Sequence, residues 1–157
     1  MKPVYLLATA LLFSQLLMAQ VATYTPLNSR FTDTITLYFN LNLATGNRSA
    51  ALLDRSEGLY LWMGAGTGSN PFEYTPAAQT DFAQPVAGAA LTPVGRNLWQ
   101  ITLCPAQWCG VPAQKNPTLL GLIVKNADGS AQTEDIVLNA TTQQTLQQVV
   151  VVRKSRL

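Results

Sequence analysis

Two cysteines, eight carboxylates and no histidine make up the reactive inventory of this chain. Histidine is the usual general base, the usual partner of a nucleophilic serine or cysteine, and the commonest zinc ligand. Without it, those three chemistries lose their ordinary form. The carboxylates are Asp33, Asp54, Glu57, Glu73, Asp81, Asp128, Glu134 and Asp135. Glycoside hydrolysis needs two of them facing each other across a sugar. Glu134 and Asp135 are neighbours on an expected strand, where adjacent side chains point to opposite faces, and Asp128 belongs to a turn. The sequence therefore predicts a chain that is not an enzyme, with no catalytic residue, no cofactor and no metal site.

Cys104 and Cys109 enclose Pro-Ala-Gln-Trp. That spacing is wider than the Cys-X-X-Cys of a redox motif, and two thiols without histidine make a poor zinc set. In an exported chain the pair predicts a structural disulfide. Closing so short a loop is expected to contribute about 2 kcal/mol and to fix Trp108 at its tip.

Aromatic residues supply the hint of a ligand. Trp62, Tyr74 and Trp108 fall in or near expected loop ends, whereas Trp99 alternates with Ile101 and Leu103 and is assigned to the core. Flat rings with a polar handle suit the apolar CH faces of sugars, and Asn70, Gln107 and Gln114 lie near enough to add hydrogen bonds. The competing reading is packing, since sandwiches often carry a tryptophan at the rim.

These residues must be positioned by strands. Thr34 to Asn40, TITLYFN, alternates Ile35, Leu37 and Phe39 against polar neighbours, the period of a half-buried strand. In GLYLWMG, Leu59, Leu61 and Met63 share one face and Tyr60 and Trp62 the other. LWQITL repeats the pattern with Trp99, Ile101 and Leu103 inward. Residues 118–125 are nearly all apolar, as in a central strand. Leu120, Leu122 and Val124 are placed on the core face, and Gly121 outward, where it allows a covering segment to approach. Asp128-Gly129 suits a tight turn leading to a partner strand at 135–138. The stretches 64–71, 84–93 and 126–130 are rich in turn formers. Short strands without helical crossovers predict an antiparallel sandwich.

Residues 1–19 have the form of a signal peptide, with Lys2 ahead of an apolar run and Ala19 at the cleavage point before Gln20. A membrane anchor is the alternative, disfavoured because the run is shorter than the ~20 residues a span needs. Residues 24–140 are assigned to the sandwich. Residues 141–157 are a C-terminal extension or a last strand, and both readings stay open. A formal charge of +2 without a clustered basic face argues against nucleic acid.

The segments at 33–47 (DTITLYFNLNLATGN), 57–66 (EGLYLWMGAG), 98–114 (LWQITLCPAQWCGVPAQ) and 119–138 (LLGLIVKNADGSAQTEDIVL) follow one another in order. Together they resemble an early-set immunoglobulin-like domain. Such domains occur in secreted proteins of glycan-foraging Gram-negative bacteria and beside the catalytic domains of some starch-processing enzymes. The resemblance spans residues 32–140 and implies a single all-β immunoglobulin-like antiparallel β-sandwich after a signal peptide, binding glycans or serving as a spacer. Trp62 and the cysteine pair depart from the family pattern. The expected function is a secreted, non-catalytic module in the periplasm, at the cell surface or outside the cell, binding carbohydrate through Trp62, Tyr74 and Trp108. The alternative is a structural or adhesive module meeting a cell-surface protein at a sheet edge.

Overall fold

The computed structural model describes residues 20–140, so the expected signal peptide and the extension from residue 141 lie outside the described residues. Seven strands form two antiparallel sheets: β1 (Ala22–Thr25), β2 (Ile35–Asn40), β3 (Leu59–Gly66), β4 (Thr92–Gly95), β5 (Leu98–Leu103), β6 (Leu119–Asn126) and β7 (Ile136–Asn139). The four-stranded sheet runs β1-β2-β5-β4 and the three-stranded sheet β3-β6-β7. That order, ABED facing CFG when the strands are lettered in sequence, is the constant-type immunoglobulin arrangement. The fold is an all-β sandwich of that kind. No helix among the described residues is long and apolar enough to cross a membrane.

Alternation explains the sheets. Ile35, Leu37 and Phe39 of β2, Leu59, Leu61 and Met63 of β3, and Leu120, Leu122 and Val124 of β6 are all buried in the shared core with Trp99. β1 and β4 were not foreseen. β4 is exposed along its whole length and so carries no alternation to detect, and β1 begins at Ala22, ahead of the expected start at residue 24.

The link between β5 and β6 overturns one expectation. Cys104 and Cys109 are not bonded to each other. Pro105 starts a helical turn, α1 (Pro105–Trp108), for which its fixed φ is well suited. Trp108 N–H then donates to Cys104 C=O and Cys109 N–H to Pro105 C=O, both at 2.9 Å. The cysteines thus sit at the two ends of a helical turn. Five residues of helix rise about 7.5 Å, beyond the roughly 7 Å over which two Cα atoms can be bridged. Instead the Cys104 thiol donates to Thr32 C=O at 3.2 Å, and Cys109 joins the core.

The long connection from β3 to β4, residues 67–91, folds back over the outer face of the three-stranded sheet. Phe72 lies across Gly64 and Gly121, where a Cβ would come within 2.6 and 2.5 Å of it respectively. The glycines, paired in register, are therefore what lets the cover sit down. Further along, Phe82 covers Gly129 of the β6–β7 turn, where φ is +71°.

The same connection closes the free edge of β3. Leu61 N–H donates to Ala89 C=O at 2.9 Å, and Leu91 N–H donates to Leu59 C=O at 2.8 Å. Gln79 does both jobs at Met63, accepting from its N–H at 2.9 Å and donating to its C=O at 2.8 Å. Tyr74 exchanges two 2.9 Å bonds with Ala65.

Candidate functional site

The three aromatics singled out from the sequence all meet the 67–91 cover, at separate places. Trp62 lies mid-strand on β3, not at a loop end. It is half-buried, with its ring 5.0 Å from Phe82 in an edge-on arrangement. Tyr74 is half-buried beside the Gly66 end of β3, held there by its bonds to Ala65. Trp108 sits in α1 with its ring against Gly88 and its indole nitrogen buried. Each ring is thus engaged in packing, with different partners: Phe82 for Trp62, Ala65 for Tyr74 and Gly88 for Trp108.

Lys125 anchors the cover from beneath. Its side chain is fully buried, and its ammonium donates to the carbonyls of Gln84, Ala127 and Asn126 at 2.9, 3.0 and 3.2 Å. Its Nζ also lies 5.2 Å from the Phe82 ring centre and 6.0 Å from that of Tyr60. Burial pushes its pKa down, and the carboxylates of Asp128 and Asp81 push back. Such a lysine is a clasp between the cover and the β6–β7 hairpin, with no face turned to a ligand.

The carboxylates are likewise engaged locally. Asp54 pairs with Arg96 at 2.8 Å. Glu73 accepts from the N–H and hydroxyl of Thr67 at 2.9 and 2.7 Å. Asp128 accepts from Ser130 N–H at 3.0 Å inside the turn. Glu134 accepts from the N–H groups of Thr45 and Gly46 at 3.1 and 2.9 Å, tying the start of β7 to the β2–β3 connection. Asp33 and Asp81 accept from the N–H groups of Arg30 and Ala83. Five of the eight, Asp33, Glu73, Asp81, Asp128 and Glu134, thus accept from backbone N–H groups.

The opposite sheet offers a different surface. Lys125 is the one charged residue in the seven strands, so β1, β2, β4 and β5 carry none. Solvent-facing surfaces ordinarily hold a quarter or more of charged residues, roughly 25–35%. On the three-stranded sheet the cover accounts for the lack. The outward residues of the four-stranded sheet are open instead: Thr92 and Thr102 are exposed, and Thr36, Tyr38 and Gln100 are half-exposed. Tyr38 stands opposite Thr23 on one side and Gln100 on the other. The Thr36 and Thr102 hydroxyls share a 2.8 Å hydrogen bond beside it.

Sequence reasoning had no place for Tyr38. The available signal was the polar half of two alternating strands: Thr36 and Tyr38 in one, Gln100 and Thr102 in the other. The inward residues of those strands carry the core pattern, and the polar alternation alone does not distinguish a binding face from a solvated one.

Comparison with curated proteins finds no match. The sequence profile of one family does match, over residues 22–133, most of the sandwich from β1 to the approach to β7. The chain belongs to that family, which is described as a domain of unknown function (DUF8578).

Proposed function

We propose that this chain is an exported, non-catalytic immunoglobulin-like module that binds a neutral carbohydrate on the outer face of its four-stranded sheet. The observation that supports the reading is the uncharged, open face around Tyr38. A sugar presents apolar CH faces and a fringe of hydroxyls. An aromatic ring flanked by hydroxyl and amide side chains matches both. The early-set resemblance points to the same ligand class and to the same kind of secreted protein. The chain's lack of histidine and the engagement of six of its eight carboxylates with neighbouring groups favour binding over catalysis.

Affinity electrophoresis in gels containing starch, xylan, mannan or β-glucan tests this reading. Retardation in at least one gel is expected, with Tyr38→Ala reducing it by about tenfold, the loss of one good contact. Loss with Trp62→Ala or Trp108→Ala, and none with Tyr38→Ala, would return the site to the loop aromatics. Free migration in every gel would remove the carbohydrate reading.

A protein partner at a sheet edge is the second reading, and one place favours it. A groove of about 350 Å³ lies between β1 and β7, lined by Val21, Ala22, Glu134, Ile136, Val137 and Leu138. Val137 is 52% exposed there. Strand addition at such an edge would use backbone hydrogen bonds for affinity. Crosslinking to a cell-surface protein from a benzophenone placed at Val137, and not from one at Thr102, would favour it.

A further inference from the structure

The geometry points to the flat side of an ordered, insoluble neutral polysaccharide as the ligand of the four-stranded face, in preference to a single soluble chain. The inference rests on the carbohydrate reading above and narrows it. Strand register sorts the outward side chains into two rows. One row runs Tyr38, Gln100, Thr92 across β2, β5 and β4, and ends against the buried Thr23 of β1. The next runs Thr25, Thr36, Thr102. Neighbours in a row are about 4.8 Å apart and the rows about 7 Å apart. Five of these six accessible positions carry hydroxyls, spread in two dimensions as hydroxyls are on the surface of a packed polysaccharide.

The side chains suit a flat partner. Most are threonine, which is short and stiff at χ1, so they end at similar heights and lose little freedom on contact. The bond between Thr36 and Thr102 orders two of them before any ligand arrives. Tyr38 and Gln100 reach further and stand side by side in the first row. The groove between β1 and β7 lies at the sheet edges, away from these rows. A single chain binds best between walls that replace its water on several sides. An extended solid needs only a broad contact that tolerates being dried.

Absence of charge completes the argument. Pressing an ion against a neutral solid would strip its water and return no opposite charge, a cost of several kcal/mol. The four strands present no ion to strip.

The test mixes the exported form of the full chain with microcrystalline cellulose, α-chitin and insoluble β-1,3-glucan, with soluble hexasaccharides of the same three as competitors. At least one solid should deplete the protein from solution, and its hexasaccharide at equal sugar concentration should not release it. Thr102→Val keeps the branched shape of an exposed residue and removes only the hydroxyl. It should weaken retention about tenfold, with an unchanged melting temperature showing that the fold is intact. Tyr38→Phe, which keeps the ring, should hold on better than Tyr38→Ala. Full release by the hexasaccharide would overturn the flat-solid inference and leave carbohydrate binding standing. Undiminished retention of Thr102→Val would move the contact off this face and overturn the inference too. No retention on any solid, with free migration in the soluble-polysaccharide gels, would overturn both readings.

Discussion

Cys109 is 3% exposed, and burial pushes its thiol up from 9.0 to about 12. Between those values the unfolded chain gives up a proton that the folded chain keeps. Stability present below pH 9.0 is therefore lost as the pH rises toward 12. The denaturant midpoint should fall across that window, and Cys109→Ala should make the fall shallower. Tyr24 is shifted in the same direction by burial, so some slope should persist. A slope unchanged by Cys109→Ala would mean that the thiol titrates normally. Cys104, half-exposed at the other end of α1, should take up a thiol reagent in the native protein well before Cys109 does. Spacing alone could not foretell this arrangement. Four residues between two cysteines are compatible with a helical turn or a loop, and the proline that opens the turn selects the first. Pro105, suited by its fixed φ to the first turn of a helix, is the residue that decides it.

At the scale of elements, the strands legible in advance were those with one wet and one dry side. In β2, β3 and β5 the inward residues are the ones that alternation selects. Gly121 also stood out as a place of close approach, and Phe72 is what approaches it. The 67–91 connection was legible only as turn-rich sequence, because its partners on β3 and β6 are distant along the chain and most of its hold is backbone and glycine contact. Gln79 is its most testable part. Gln79→Ala removes both side-chain bonds from Met63, leaving its N–H and C=O to whatever water can reach them. The cost should be about 1–3 kcal/mol in a urea melt, accompanied by more light scattering as the bared edge pairs between molecules. A variant as stable and as monodisperse as the parent would show that the edge is sealed without Gln79.

For the whole molecule, the separation of charge from strands makes a prediction about ionic strength. Contacts between a neutral ligand and an uncharged face have no ion pairs to screen. Retention on a polysaccharide should therefore change by less than about twofold between low salt and about 1 M, where the Debye length shrinks to about 3 Å. A steep fall with salt would implicate the charged loops instead. The sandwich itself was legible from the sequence because each strand carries its own share of the core pattern. The Tyr38 face was not, because strands far apart in sequence assemble it: Thr36 and Thr102 bond across 66 positions of chain.

The sealing of β3 by Ala89, Leu91, Gln79 and Tyr74 bears on crowding. Copies gathered on a shared surface meet one another at densities that dilute solution never reaches, and an open strand edge there would seed lateral fusion of sheets. With β3 already bonded along that edge to its own chain at Leu59, Leu61, Met63 and Ala65, neighbours on that side find little strand left to pair with and come apart as individuals.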